Sequence, residues 1–328
     1  MNRNEIQSMQ KGELHVHLNG LVSTDVIREL LGKDQSELPY GFDLKKDLNI
    51  LLPADSLATY LKPWQVLRLI PKSKSSLGLM VESAFLNLKS QNITFAEIRN
   101  TVVYLASLNN ISVDEALYWM VSAIESASER YEIKAGLILT VPRGDSAPDH
   151  LRALLTAYAK LGRPNTVVGL DLAGNEDIES PSETGPIFLH AKYNNELKVT
   201  VHAGETGRIE NIISAVNEFG ADRIGHGTAA SKSVEVMNFL RDRDICIEVC
   251  PVSNRLTNAV NKDESHPVID FIHHKVPFVI CSDNPSIHSS NLTEDYLEFF
   301  RETGSSKHLH DMYTNQMNYS FIRDLHGN

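Results

Sequence analysis

Two histidines two positions apart, His15 and His17, sit inside the otherwise apolar stretch ELHVHLNG. In an extended strand, positions i and i+2 share one face, so both imidazoles can reach a common point. Neutral imidazole is a frequent ligand for zinc and related divalent ions, but a site needs three or four donors. On its own the pair also reads as two hydrogen-bonded histidines near a strand end, and the remainder of the chain must decide.

Further residues with ligand or acid/base chemistry stand at the ends of other β-rich runs. His202 and Glu205 lie in HAGE, His226 in GHG, and Asp283 in CSDNP. Three imidazoles and one carboxylate make a donor set of suitable hardness for Zn²⁺ with a position left open for water. Glu205 and His226 then remain as acid/base candidates, against the plainer readings of a surface loop acid and a structural histidine.

These residues need a scaffold that brings strand ends together. Eight short β-rich runs are bounded by turns, at 13–17, 93–99, 133–139, 167–173, 198–204, 222–227, 245–250 and 277–283. Between them lie segments of helical period such as SVDEALYWMVSAIESASERY, which begins with a capping serine and carries acids in its first turn. Apolar strands alternating with amphipathic helices imply a parallel sheet, and eight such units predict a closed (β/α)8 barrel, an α/β fold. In that fold the C-terminal strand ends share the face that carries the chemistry. Residues 18–92 are too long for one crossover and predict extra helices over the barrel mouth, read as a substrate lid or as packing decoration. No linker or repeat interrupts residues 1–328, which predicts a single domain.

The chain has 328 residues, 42% of them hydrophobic, enough for one large barrel. A formal net charge of -11 disfavours nucleic acid and anionic membrane surfaces as partners and suits a small-molecule substrate. No apolar run is long enough to span a bilayer and the N-terminal stretch lacks an export signal, which predicts a cytoplasmic protein. Cys246, Cys250 and Cys281 are odd in number and lie in strand-like runs. They predict core packing in a reducing compartment rather than disulfides or thiolate ligands.

The segments ELHVHLNG, GLDLAGNE, TVHAGE, RIGHGT, EVCPVSN and CSDNP follow one another from residue 13 to 285. In this order they resemble the signature segments of the adenosine deaminase family within the amidohydrolase superfamily, metal-dependent hydrolases. The resemblance implies one zinc ion per chain, held by His15, His17, His202 and Asp283, and a purine substrate. It implies that zinc-activated water attacks purine C6, converting adenosine to inosine and ammonia, while Glu205 protonates N1 and His226 orients and deprotonates the water. Gly174 matches a glycine whose backbone N–H reaches purine N3. His17 is implied to border the substrate as well as the metal. The cytidine-type plan of H-x-E with P-C-x-x-C is absent.

Two positions depart from the family pattern. Asn19 and Asn284 stand where aspartates are usual, the first implied to contact ribose hydroxyls and the second purine N7. Neither touches the metal in that pattern. Loss of ionisation at both leaves open adenine, a nucleotide or an N6-modified purine as the substrate, or a purine-binding relative without turnover. Arg99 resembles a position near the barrel mouth but reads better as salt-bridge scaffolding. His266, His273, His274, His288, His308 and His310 match no motif and read as ordinary, mostly exposed residues.

Overall fold

The computed structural model describes residues 1–33, 37–323 and 325. Each β-rich run forms a strand: β1 Lys11–His17, β2 Ile93–Asn100, β3 Lys134–Pro142 and β4 Val167–Ala173. The series continues with β5 Lys198–Ala203, β6 Arg223–His226, β7 Cys246–Val249 and β8 Phe278–Ile280. They pair in parallel in sequence order. A parallel bridge between Val16 and Asp283 joins the last strand to the first. There the His17 N–H donates to the Asp283 carbonyl at 2.9 Å, and the Asp283 N–H to the His15 carbonyl at 2.8 Å. The result is the (β/α)8 barrel, and its closing seam runs through three of the candidate residues.

The last strand is shorter than the run CSD suggests. Asp283 has a left-handed backbone with φ of 60°, and His226, which ends β6, has φ of 64°. Non-glycine residues pay of order 1–3 kcal/mol for such strained conformations. Both positions stand at the C-terminal ends of the barrel strands, where the chain leaves the sheet.

Helices alternate with the strands as their periodicity predicts. Val113–Tyr131 is capped by Ser112, whose side chain accepts from the Glu115 N–H. Between β1 and β2 lie helices Leu18–Leu21, Thr24–Lys33, Leu57–Tyr60, Trp64–Leu67 and Lys74–Ser90. Residues 37–56 hold turns and irregular backbone, so the long interval is part helix and part turn. Its last helix, Lys74–Ser90, is the crossover that leads into β2.

Below the mouth, charged side chains are buried inside the barrel rather than replaced by aliphatic ones. Arg223 donates to Glu248 at 2.6 Å and to Glu97 at 2.5 Å, while Arg99 donates to Glu248 and lies 3.5 Å from Asp171. All five are 0–1% exposed. Such pairs add little net stability, because desolvation offsets attraction, but removing one member strands an unpaired buried charge. Their structural effect is to fix the direction of Glu248 and Asp171, which face upward to histidines. Arg99 is thus scaffolding, as its sequence context suggests. The three cysteines are free and buried. Among the described residues no helix is long and apolar enough to cross a membrane.

Candidate active site

His15 and His17 alternate with Val16 on β1, His202 and Glu205 end β5 and start its loop, His226 ends β6, and Asp283 follows β8. The barrel brings all six together. His15, His202, His226 and Asp283 each offer an atom within 4.8 Å of those of the other three. His17 joins them: its Nε2 lies 3.3 Å from His202 Nε2 and 3.4 Å from Asp283 Oδ1. Five donors therefore converge where the sequence assigned four to a metal and His226 to catalysis.

The outer nitrogens are committed to carboxylates. His15 Nδ1 lies 2.7 Å from Glu248 Oε2, and His202 Nδ1 lies 2.9 Å from Asp171 Oδ1. Burial opposes ionisation of Asp171 and Glu248, but it is outweighed by the His202 ring and Arg99 for the first and by Arg99 and Arg223 for the second, and both pKa values fall below the usual carboxylate range. Acidic partners of this kind draw the imidazole proton to Nδ1 and leave Nε2 with its lone pair inward. His15 Nε2 is buried with no hydrogen-bond partner, and Asp283 Oδ1, an acceptor, lies 3.5 Å from it. A buried imidazole nitrogen 3.5 Å from a carboxylate oxygen, with no hydrogen bond between them, fits two ligands of one divalent cation. Gly225 is part of the same packing, because a Cβ there would lie 3.0 Å from the His15 ring.

Asp283 is itself held on several sides. Its Oδ2 accepts from Ser253 at 2.7 Å and lies 3.3 Å from the Tyr60 hydroxyl, and its Oδ1 accepts from the Asn284 amide at 2.7 Å. The Tyr60 oxygen also lies 2.6 Å from His288 Nε2. Asn284 is buried, its amide donates to Asp283 and Tyr60, and its Oδ1 has no partner.

Glu205 is 7% exposed, with His226 Nε2 3.8 Å from its carboxylate. Burial first, then the Asp283 and Glu176 carboxylates, push its pKa well above the ordinary value, which favours the carboxylic acid over the carboxylate. Burial, reinforced by the His15 ring, lowers the His226 pKa well below that of free imidazole.

A cavity of about 220 Å³ lies over these groups, bounded by His17, Gly174, Glu205, His226, Asp283 and Asn284. Gly174 has φ of 104°, a conformation that L side chains rarely adopt, and its hypothetical Cβ would meet nothing closer than 3.8 Å. Glycine is required there by the backbone, not by crowding. Tyr60, Leu61 and Trp64, from the interval before β2, also form the wall. Asn19 borders an adjoining cavity of about 240 Å³ that shares His17, Leu61 and Trp64. Its amide donates to the Leu67 carbonyl at 2.9 Å.

Sequence reasoning passed over several residues of this site. His266 and His288, read as ordinary and mostly exposed, are 1% and 5% exposed. His266 contacts Asn254 and His288 contacts Tyr60, so neither is an ordinary surface histidine. Glu248 and Asp171 carried a readable signal, a lone acid inside an apolar strand, which implies a buried partner. Tyr60 carried none, because its arrival at Asp283 depends on how an irregular segment folds.

Comparison with known proteins identifies the family. The family model described as adenosine deaminase matches residues 10–326. An adenosine deaminase of Clostridium kluyveri is 31% identical over 305 residues, covering 90% of this chain and 85% of that protein. Among solved structures, an amidohydrolase from Burkholderia ambifaria with bound Zn superposes with a TM-score of 0.85 at 20% identity, covering 98% of this chain and 88% of the other. The N6-mAMP deaminase of Arabidopsis superposes at 0.82 and 23% identity, covering 98% and 96%. A barrel with this ordered set of strand-end residues, matched along nearly its whole length, belongs to the adenosine deaminase family and is a hydrolase of the aminopurine deaminase type.

Proposed function

We propose that the protein hydrolyses the 6-amino group of adenosine, giving inosine and ammonia, with one zinc ion held by His15, His17, His202 and Asp283. The observation that carries this reading is the union, at one cavity, of imidazole nitrogens converging on the Asp283 carboxylate, His15 Nε2 among them without a hydrogen-bond partner, and a buried Glu205 carboxyl whose surroundings favour its acid form. When bound, the ion supplies the Lewis acidity that makes water a nucleophile at neutral pH.

The chain's own residues do the remainder. Glu205 donates its proton to purine N1, which drains electron density from C6 and lets water add there. N1 keeps that proton; of the two protons of the added water, one leaves with the amino group as ammonia when the C6–N bond breaks, and the other returns the ionised Glu205 carboxylate to its acid form as C6 becomes a carbonyl. His226, whose Nε2 lies 3.8 Å from that carboxylate, orients the incoming water. Gly174 offers its N–H to N3, Asn284 its amide to N7, and His17 borders the ring. Asn19 lies toward the ribose or its replacement. Tyr60, Leu61 and Trp64 support the reading of residues 18–92 as a lid within a single domain of residues 1–328, since they close the wall of the cavity.

A second reading keeps the chemistry and changes the substrate to adenine, a nucleotide or an N6-modified purine. It is favoured by Asn19 and Asn284 in place of acids, and by the N6-mAMP deaminase among the similar folds. Ultraviolet absorbance with ammonia release, measured across adenosine, adenine, AMP and N6-methyl-AMP, separates the two. Fastest turnover of adenosine supports the first. Release of ammonia from none of them removes the aminopurine assignment.

A further inference from the structure

Five donors converge on the cavity, and whether His226 presents a lone pair or a proton there decides what it can do. The answer lies behind it. The backbone N–H of Val268 donates to His266 Nδ1 at 3.2 Å. A backbone N–H is only ever a donor, so Nδ1 of His266 is the acceptor and the ring proton is on Nε2. Burial, with Arg255 nearby, lowers the His266 pKa to about 3 and keeps the ring neutral. Its Nε2–H points at Asn254, with Oδ1 3.3 Å away. Only the oxygen of an amide accepts, which orients the Asn254 side chain. Its NH₂ then faces His226 Nδ1 at 3.0 Å and can only donate to it. Nδ1 of His226 is therefore unprotonated, and the single proton of the neutral ring is on Nε2.

We propose that Asn254 and His266 are positioning residues that fix His226 in the tautomer with its proton on Nε2, aimed into the cavity. The direction of one backbone N–H is thereby passed through two side chains to the active centre. The three side chains are 0–1% exposed, so no water competes for these bonds. They come from two successive barrel units: His226 ends β6, while Asn254, in helix Pro251–Leu256, and His266, just before helix Val268–His274, both lie in the connection from β7 to β8.

Two consequences follow. A protonated Nε2 cannot ligate a cation, so among the five converging donors the set is completed by His17, whose Nε2 is 3.3 Å from that of His202. His226 also enters the reaction as a hydrogen-bond donor to oxygen, not as a base at Nε2. This inference rests on the aminopurine deaminase reading for its role in turnover, but the tautomer is a property of the folded protein and is measurable apart from it.

The test is ¹⁵N–¹H correlation of ring-labelled histidines in the zinc-loaded enzyme, with His226 identified by the signals missing from His226→Gln. The expected native pattern is a protonated Nε2 and a pyridine-like Nδ1. Asn254→Asp places a carboxylate against Nδ1 and is expected to move a proton there, with kcat falling about 10-fold to 100-fold at unchanged zinc content. His266→Leu, a milder change should Asn254→Asp fail to fold, is expected to free the amide and give averaged Nδ1 and Nε2 signals. A proton on Nδ1 in the native enzyme, or an unaltered pattern in the variants, overturns the proposal. The expected tautomer in a protein that deaminates no purine upholds the relay and removes the functional reading instead.

Discussion

The carboxylate of Glu176 receives the backbone N–H of Glu205 on one oxygen and that of Gly204 on the other, each at 2.7 Å. Asn211 adds a third donor at 2.8 Å. A buried acid at the end of GLDLAGNE thus sets the path of the loop that carries the candidate general acid, and its charge helps keep Glu205 protonated. Glu176→Gln leaves one acceptor for two loop N–H groups. The expected result is a kcat loss of about 10-fold to 100-fold with unchanged metal content, since misplacement by about 1 Å is enough for such a loss. Turnover equal to the parent protein would show that the loop holds its course without this anchor.

Removal of single ligands tests the metal assignment. His15→Ala, His202→Ala and Asp283→Ala are each expected to lose most of the bound ion, because a compact four-donor site weakens sharply when it loses one. His226→Ala is expected to retain it and to lose turnover. Elemental analysis of the four purified variants reads this directly. Retention in Asp283→Ala with loss in His226→Ala would exchange the roles of those two residues.

The barrel and the six strand-end residues are legible in the sequence because both depend on local pattern. Apolar runs at regular spacing define strands, and a parallel barrel gathers their ends whatever the helices do. Strand ends were less legible: the run through Cys281 and Asp283 reads as strand, while β8 ends at Ile280 and only an isolated bridge at Asp283, whose backbone is left-handed, continues the pairing. The supporting residues were harder still. His266 and His288 are polar residues in loops, and nothing in their neighbours announces that the chain buries them. Tyr60 reaches Asp283 across 223 positions of sequence. Such contacts are fixed by tertiary packing, which leaves no periodic trace.

Glu205→Gln isolates the proton donor from the metal. The amide keeps the shape and removes the transferable proton, so zinc content and ligand binding are expected to persist while kcat falls by about 10² to 10⁴. Equal turnover in the variant and the parent would assign protonation of the ring to another group.

Asn284→Asp restores the residue usual at this position in the family. The asparagine already gives one N–H to Asp283 at 2.7 Å, and its second lies 3.3 Å from the Tyr60 oxygen, so a purine N7 would take that second N–H from Tyr60. Loss of one such buried hydrogen bond costs about 1 to 3 kcal/mol. A 7-deaza analogue is therefore expected to lose about 10-fold to 100-fold in kcat/KM against the parent, and the variant to change that ratio and the order of substrates. Equal discrimination before and after the substitution would mean that Asn284 does not face N7.

His266 makes stability depend on acid in a direction that can be worked out. Burial lowers its folded pKa to about 3, whereas in the unfolded chain it returns to about 6.5. Between those values the unfolded state binds a proton that the folded state refuses, so stability falls as pH falls through this window and is fully present above it. The loss approaches about 1.4 kcal/mol per pH unit below the unfolded pKa, or roughly 2 kcal/mol at pH ~5. Glutamine at this position can still donate to Asn254 Oδ1 but has no proton to gain. His266→Gln is therefore expected to be less stable than the parent near neutral pH, where packing and the Val268 bond are lost, and to close that gap by about 2 kcal/mol at pH ~5. Denaturant unfolding of both proteins at the two pH values measures the difference. A gap that stays constant would show that His266 takes up its proton in the folded state, which a ring with Nδ1 bonded to a backbone N–H cannot do without breaking that bond.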